Sequence, residues 1–316
     1  MAAKLAAIPL PYMMGKQVLD VGTDFGYWAF LSASKGATRV LGLDRNRDVR
    51  GIGHVNLVEL NRQRAADEGR DNVEFEEINL GKQWREFGKF DIVFVLSVYH
   101  HIFNQCGDHA AVWYWLSRHC VGQLIWEGPV DDADPVVCAN VSDVNRGAYT
   151  REEIIRAASP YFDAEHIGPA LHEPTREVWR FKPKAKQPRK MTGYIVAGAG
   201  GATAAFEHAD GRRIGEIENI LGFRPYPGSL NVQLDQPFDW DYGYYRARVL
   251  DVVGRGGGLD VDWEPRWARF YPVDTDAGLA FAFRFEGEGY HKNFIELIAP
   301  VRLRDAITDP HVTLCR

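Results

Sequence analysis

The feature that most constrains the fold is an alternation of apolar runs and amphipathic stretches through the first half of the chain. Five runs rich in Val, Leu and Ile follow Lys16, and stretches with helical periodicity, such as 54–66 and 108–120, lie between them. The runs are QVLDVG (17–22), TRVLGLD (38–44), NVEFEEI (72–78), FDIVFVLSV (90–98) and GQLIWE (122–127). This alternation predicts an α/β fold in which a mostly parallel sheet is covered by helices on both faces. Later β-like runs near 162–167 and 177–181 are candidates for an antiparallel edge.

A change of composition divides the chain into two predicted domains. A chain of 316 residues is too long for one ordinary core. The segment KPKAKQPRK (182–190) has five Lys or Arg residues, two prolines and no apolar periodicity, which is typical of a linker. The rest of the chain is rich in Gly and aromatic residues in short β-like runs, with one helical segment near 213–221, and this predicts a smaller β-barrel. The predicted parts are a first domain over 1–183, a basic linker over 184–191 and a barrel over 192–316.

The overall composition excludes several classes of protein. A net charge of −6 and a pI near 5.9 argue against a general nucleic-acid binder, so we expect no nucleic-acid partner. The four cysteines form no CxxC pair, which favours ordinary thiols in a reducing compartment. The N-terminal stretch is interrupted by Pro9 and Pro11, and no run approaches the roughly 20 apolar residues that span a bilayer. We therefore expect a soluble, cytoplasmic protein.

A glycine-rich turn, in VLDVGTDFGYWAF, lies between the first predicted strand and a helix. Gly22 and Gly26 would let the backbone approach a ligand closely. Asp20 lies at the strand end, which favours an amine or hydroxyl over a pyrophosphate, and Asp44 ends the second strand, where a carboxylate can accept two ribose hydroxyls. A turn of this kind also occurs in NAD-dependent dehydrogenases, which remain the competing interpretation.

The turn resembles the D/E-x-G-x-x-x-G motif of class I S-adenosylmethionine-dependent methyltransferases, read here from Asp20 to Gly26, and the resemblance covers about residues 10–183. It implies a Rossmann-like methyltransferase sheet and S-adenosylmethionine as cofactor. By the same resemblance, Asp20 and Gly22 lie beside the methionine part and Asp44 holds the ribose. Asn79 stands where the family often carries an acid near the adenine.

The fourth predicted strand ends in LSVYHHIFN, and its polar residues are expected to face the ligand because open α/β sheets bind ligands at strand carboxyl ends. These residues are Ser97, Tyr99, His100 and His101. The stretch from GKFDIVFVLSVYHHI onward resembles the methyltransferase half of the kinase–methyltransferases that cap bacterial O-antigen chains. We expect a histidine to orient the methyl acceptor or to remove its proton, the alternative being packing at a helix start. Glu127, at the end of the fifth strand, is a further candidate on the acceptor side.

The segment LGFRPYPGSLNVQL (221–234) contains a rigid turn followed by two polar residues, Ser229 and Asn231, on one side of an extended strand. Two neutral oxygen ligands suit a Mg²⁺ that takes its other ligands from water and phosphates. The alternative is a tight hairpin whose polar groups satisfy one another.

This segment resembles the P-Y-P-G-T-L-N signature of the CTP-dependent riboflavin kinases of archaea. The run from Phe294 to Arg304 resembles their I-E-I-I-A-P-x-x-L-R, and GYIVAGAGGATAAF (193–206) stands where that family has its nucleotide loop. The resemblance implies that Ser229 and Asn231 hold Mg²⁺ and that Glu296 touches the phosphoryl acceptor. The nucleotide would be lined by Gly198, Gly200, Gly201, Leu303 and Arg304. Ser replaces the family's Thr at the signature. The Ala-rich loop does not decide whether CTP or ATP is the phosphoryl donor.

Two fused activities often act in sequence on one substrate, so the sequence predicts a bifunctional kinase–methyltransferase. In the leading interpretation it phosphorylates a sugar or glycan-terminal hydroxyl and methylates the product to a methyl phosphate. One alternative is a CTP-dependent riboflavin kinase fused to an independent small-molecule methyltransferase. Another is a methyltransferase whose barrel is a non-catalytic binding module.

Overall fold

The computed structural model describes residues 8–45, 47–49, 53–170, 173–185, 190–197, 212–253, 262–287, 292–307, 309 and 311–315. The chain divides into two compact units. The first comprises residues 1–81 and 86–185, and the second comprises residues 82–85 and 186–316. The units meet in sequence at residue 185, inside the predicted linker, but the assignment of residues 82–85 to the second unit was not predicted.

The first unit contains nine strands and seven helices among its described residues. The strands are β1 (Gln17–Val21), β2 (Arg39–Asp44), β3 (Arg47–Val49), β4 (Gly53–Val55), β5 (Val73–Glu77), β6 (Phe90–Leu96), β7 (Cys120–Pro129), β8 (Phe162–Ala170) and β9 (Glu173–Pro183). The helices are α1 (Tyr27–Ser34), α2 (Leu57–Asp67), α3 (Tyr99–Cys106), α4 (His109–His119), α5 (Pro135–Asn140), α6 (Asp143–Arg146) and α7 (Arg151–Ala158).

The main sheet of this unit has the order β5-β2-β1-β6-β7-β9-β8. The five strands from β5 to β7 are parallel, whereas β9 and β8 are antiparallel and form the edge. The central strands are buried on both faces, as the Val- and Leu-rich runs require, with Val18, Leu19 and Val93 fully buried. The α/β sheet predicted from the alternation is therefore confirmed, including its antiparallel edge.

Helix boundaries in this unit follow capping side chains. Asn56 accepts from the Glu59 N–H at the start of α2, and Asp108 accepts from the Ala110 and Ala111 N–H groups at the start of α4. The helix expected over 54–66 is wrong at its first residues, because Gly53–Val55 pair with Arg47–Val49 as a short hairpin. The cap at Asn56 is what starts the helix three residues later than the apolar pattern suggests.

The second unit is built on one antiparallel sheet. Its strands are β10 (Lys190–Ile195), β11 (Leu230–Leu234), β12 (Tyr245–Val253), β13 (Asp262–Thr275), β14 (Gly278–Phe285), β15 (Phe294–Ile298) and β16 (His311–Cys315), and its helices are α8 (Arg212–Leu221) and α9 (Leu303–Ala306). The order is β12-β13-β14-β15-β11-β10-β16, and β16 also pairs with β13 at Asp274 and Cys315. This last pairing closes six strands into a ring, so the predicted barrel is confirmed.

Buried apolar and aromatic side chains form the core of the second unit. Tyr245, Ala247 and Val249 of β12 are buried, as are the aromatic residues Phe270 and Phe281 of β13 and β14. Trp84, which belongs to this unit, is also completely buried, with its ring stacked on Tyr245 at a centroid distance of 5.5 Å. None of the described helices is long and apolar enough to cross a membrane.

Candidate active sites

A cavity of about 350 Å³ lies at the carboxyl ends of the parallel strands of the first unit. Its wall comes from the residues after β1, from the ends of β2 and β6, from the loop after β5 and from α3. Of the predicted site residues it contains Gly22, Asp44, Asn79, Ser97 and His101. The sequence-based expectation that ligand-facing residues gather at this edge therefore agrees with the geometry of the structure.

The glycine-rich turn is fixed by packing within the protein. Gly22 has φ +73°, and a Cβ there would lie 2.5 Å from Cγ2 of Val98. Gly26 has φ +75°, and a Cβ would lie 2.8 Å from the ring of Phe30 and 2.9 Å from Oδ1 of Asn61. The sequence suggested that these glycines let a ligand approach the backbone. The structure adds a second reason for glycine at both positions, because the backbone conformation and the neighbouring side chains each require it. Gly26 itself does not line the cavity but precedes α1.

Two carboxylates hold the turn in shape. Asp44 accepts from the Asp24 N–H through Oδ2 (2.7 Å) and from the Arg45 N–H through Oδ1 (2.8 Å). Asp20 is buried outside the cavity wall, where its Oδ2 accepts from Oγ1 of Thr23 (2.7 Å). Asp24 has φ +51°, unusual for a residue other than glycine, and the bond from its N–H to Asp44 supports that conformation. Asp44 therefore both faces the cavity and organises the loop beside it.

A buried polar cluster stands behind Ser97, which has φ +62° at the end of β6. The Ser97 hydroxyl donates to Oε2 of Glu127 (2.6 Å) and accepts from Nη1 of Arg176 (2.7 Å). Glu127 is fully buried, and Nη1 of Arg176 also lies 3.4 Å from its Oε1. Sequence reasoning singled out Glu127 but missed Arg176, because β9 reaches this position only through the antiparallel edge of the sheet.

The two adjacent histidines have different environments. His101 lies on the cavity wall, whereas His100 is buried behind it, with the two ring centroids 4.1 Å apart and the ring planes tilted by 39°. Burial, with the nearby His101 and Arg176, lowers the pKa of His100 to about 3, and its Nδ1 has no hydrogen-bond partner among the described residues. Tyr99 also does not line the cavity, since its hydroxyl is buried against Nδ1 of His109 (2.8 Å). The expectation that Tyr99 and His100 face the ligand is therefore wrong, because helix α3 turns both side chains into the core.

In the second unit, the barrel brings three predicted site residues together. Asn231 of β11 lies directly opposite Glu296 of β15 in the antiparallel ladder, and Ser229 precedes β11 by one residue. Asn231 is 6% exposed. The Ser229 Oγ is buried and has no hydrogen-bond partner among the described residues. A buried hydroxyl that lies two residues from a buried amide is compatible with the pair of oxygen ligands expected from the sequence.

The remaining predicted nucleotide residues are only partly described. Leu303 is buried and Arg304 exposed at α9, whereas Gly198, Gly200 and Gly201 lie outside the described residues. The described residues contain no group of three or more His, Cys, Asp or Glu that could hold a metal ion.

Comparison with known families supports the resemblance in the barrel. The family model CTP-dep_RFKase, with the description "Domain of unknown function DUF120", matches residues 195–309. The matched segment lies within the second unit. The chain is 32% identical over 117 residues to a riboflavin kinase of Methanocella arvoryzae, covering 37% of this chain and 50% of that protein. It is 32% identical over 124 residues to a riboflavin kinase of Thermofilum pendens, covering 37% of this chain and 52% of that protein. The chain thus spans about half the length of the curated relatives it matches.

Several solved structures described as methyltransferases are similar to part of this chain. An S-adenosylmethionine dependent methyltransferase from Mesorhizobium loti superposes with a TM-score of 0.39 at 16% identity, covering 57% of this chain and 95% of that one. The sheet order and the position of the cavity at the strand carboxyl ends agree with the methyltransferase-type α/β fold expected from the turn motif.

Proposed function

We propose that this protein is a bifunctional enzyme in which an S-adenosylmethionine-dependent methyltransferase is joined to a kinase that uses CTP, with ATP as the alternative donor. The observation that carries the proposal is that one chain holds both a cavity beside Asp44 and a riboflavin-kinase-type domain with Ser229 and Asn231 side by side. We propose the cytoplasm as its location, because the spacing of the four cysteines is that of ordinary thiols in a reducing compartment rather than of a disulfide framework.

The residues of the first cavity fit S-adenosylmethionine. The carboxylate of Asp44 can accept hydrogen bonds from both ribose hydroxyls, and the side chain of Asn79 can meet the edge of the adenine. Ile78, Leu80 and Ile102 give the same cavity an apolar wall for the adenine face. When bound, the cofactor would supply a methyl group on a positively charged sulfur. The protein's task is to hold cofactor and acceptor in line and to exclude water.

Within this proposal, His101 meets the methyl acceptor, because it is the one of the two adjacent histidines that lines the cavity. His100 supports the ring of His101 from behind and, with its low pKa, stays neutral at physiological pH. An acceptor that is already anionic needs a hydrogen-bond donor at this place rather than a base, and a neutral hydroxyl acceptor needs the base. Either role requires the ring of His101 to be fixed.

The residues of the second site fit Mg²⁺. Ser229 Oγ and the Asn231 side chain would hold the ion, which would neutralise charge on the phosphates of the nucleotide. Glu296, opposite Asn231 in the ladder, would orient the acceptor hydroxyl and take its proton. Leu303 and Arg304 would contact the base, and Gly198, Gly200 and Gly201 the phosphates, as the family resemblance implies.

Two phosphoryl acceptors follow from two different observations. Riboflavin is favoured by the curated relatives, which are all named riboflavin kinase. A sugar or glycan terminus, methylated afterwards to a methyl phosphate, is favoured by the likeness of the first unit's sequence to the kinase–methyltransferases of O-antigen capping. The two acceptors lead to different products and can be separated in one assay.

The test is to incubate the full chain with labelled CTP or ATP, Mg²⁺ and a panel of riboflavin and sugars, and to follow phosphate transfer. Methyl transfer from labelled S-adenosylmethionine is followed in parallel. Transfer of phosphate to riboflavin alone, with methyl transfer to an unrelated compound, would identify two independent activities. Methyl transfer that needs both nucleotide and Mg²⁺ would identify the sequential scheme, and full transfer to an unphosphorylated acceptor without nucleotide would exclude it.

A further inference from the structure

The hydroxyl of Ser97 uses its single proton in a hydrogen bond within the protein. Arg176 can only donate, and an ionised Glu127 can only accept. Because the Ser97 hydroxyl lies 2.7 Å from Nη1 of Arg176 and 2.6 Å from Oε2 of Glu127, its proton must point to Glu127. Ser97 therefore cannot donate to a ligand in the cavity that it lines, and can meet that ligand only as an acceptor.

The charges around Ser97 favour a cation at the same place. Glu127 is fully buried, and Arg176 is shared between Glu127 and Oε2 of Glu173, an ion pair at 2.8 Å. This cluster joins two carboxyl groups to one guanidinium group. Asp20 lies buried at the end of β1, beside the turn that packs on Val98. A ligand group with N–H donors and a positive charge suits both the committed hydroxyl and this local charge.

Strain in the backbone shows that the hydroxyl is held in place. Ser97 has φ +62°, a conformation that disfavours serine by about 1 kcal/mol relative to glycine. The Ser97 N–H donates to the carbonyl of Glu127 (2.8 Å), so both the main chain and the side chain of Ser97 are tied to β7. These bonds hold the hydroxyl of Ser97 at one place beside the cavity despite the strained backbone.

We propose that Ser97 accepts a hydrogen bond from the α-ammonium group of bound S-adenosylmethionine, and that Glu127 and Arg176 are positioning residues that fix its hydroxyl as an acceptor. This inference rests on the proposed function of the first unit. It goes beyond it by assigning Arg176 and Glu127 to recognition of the cofactor's amino-acid part rather than to the methyl acceptor.

The test compares two ligands by calorimetry on the full chain: S-adenosylhomocysteine, which has the ammonium group, and 5′-methylthioadenosine, which lacks the amino-acid part. Ser97→Gly removes the hydroxyl and suits the positive φ, so it should fold. We expect it to weaken S-adenosylhomocysteine binding about tenfold, the scale of one hydrogen bond to a charged group, with methylthioadenosine affinity changed by less than about twofold. Ser159→Ala, which removes an exposed hydroxyl elsewhere, is the matched control.

A second variant tests the positioning role. The double change Glu127→Gln with Arg176→Met removes both charges together, so that neither is left buried and unpaired. We expect the same selective loss of S-adenosylhomocysteine affinity. An equal loss for both ligands, or no loss in Ser97→Gly, would overturn the inference. Failure of the unaltered chain to bind S-adenosylhomocysteine at all would instead overturn the proposed function, and this assignment with it.

Discussion

Asp44 combines ligand contact with loop support, and its replacement tests the cofactor site directly. Asp44→Ala should weaken S-adenosylmethionine binding by about 2–3 kcal/mol, because a carboxylate that accepts two ribose hydroxyls is lost. Calorimetry measures the affinity, and Asp71→Ala, an exposed aspartate, provides the control. Unchanged affinity in a folded Asp44→Ala protein would remove this residue from the site.

Gly22 and Gly15 allow the effect of crowding to be separated from that of backbone conformation. Both have positive φ, +73° and +75°, but a Cβ at Gly22 meets Val98, whereas one at Gly15 has nothing within 4 Å. Gly15→Ala should cost about 1 kcal/mol of unfolding free energy through its φ alone. Gly22→Ala should cost about 1–3 kcal/mol more, through overlap with Val98. Urea unfolding measures both, and equal losses would contradict the packing explanation.

At the level of single residues, sequence reasoning found the positions at strand ends but not every direction of a side chain. Asp44, Asn79, Ser97 and His101 could be placed because each lies at the carboxyl end of a strand of the parallel sheet or shortly after it. His100 could not be told from His101 by sequence, because one step along a helix turns a side chain by about 100°. The role of Arg176 at the site gave no local signal, since Glu127 and Ser97 lie about 50 and 80 positions away from it in sequence.

Strand β11 offers a matched pair for testing the kinase site. Asn231 and Gln233 lie on the same side of the strand, two residues apart. Asn231→Ala should reduce phosphoryl transfer by at least about a hundredfold, through loss of a proposed Mg²⁺ ligand, and should leave S-adenosylmethionine binding intact. Gln233→Ala should retain most of the transfer activity. Equal rates in the two variants, measured with labelled nucleotide and Mg²⁺, would show that Asn231 is not a ligand.

Elements were predicted well where their periodicity was long and poorly where it was short. The five parallel strands and helix α4 follow from apolar patterns of their expected length. Helices α5 and α6 have six and four residues, too few for a helical period to be recognised. The short hairpin of β3 and β4 was missed for the same reason.

For the molecule as a whole, the division into units predicts how fragments behave. Residues 1–183 should fold and bind S-adenosylmethionine without the barrel. A fragment of residues 192–316 lacks Trp84, whose indole N–H donates to the Arg246 carbonyl (3.0 Å) and whose ring is completely buried. That fragment should be about 3–5 kcal/mol less stable than the same unit in the full chain.

Two full-length variants serve as controls for the fragments. Trp84→Ala should reproduce this loss of stability in the unfolding transition of the second unit, although residue 84 lies in sequence between strands of the first unit. Trp113→Ala removes a buried ring from the first unit. It should instead lower the midpoint of the first unit's unfolding transition, which is the transition whose midpoint S-adenosylhomocysteine binding raises. A barrel fragment as stable as the intact unit would show that Trp84 adds nothing to it.

The unfolding free energy of the first unit should depend on pH in the acidic range, because three of its histidines are buried. Burial lowers the pKa of His100 to about 3 and those of His109 and His119 to about 4. These rings stay neutral in the native state, whereas the unfolded chain takes up their protons below about pH 6.5. The unfolding free energy should therefore fall as the pH decreases from 6.5 towards 4, by at most about 4 kcal/mol per pH unit for three protons. A flat profile over this range, measured by urea unfolding, would contradict the burial of these rings.

The pairing of β16 with both β10 and β13 has a consequence for the newly made protein. The ring needs residues 311–315, so the barrel cannot close on the ribosome until those residues have left the exit tunnel. The parallel sheet, by contrast, is complete in sequence at Pro183 and can assemble while the barrel is still being translated. Contacts between residues 190 and 315 are among the most distant along the chain, so ring closure should be the slow step in reaching the native state. Until then, the edges of β10 and β13 remain open to strands of other chains, and this is the stage at which the protein is most exposed to aggregation.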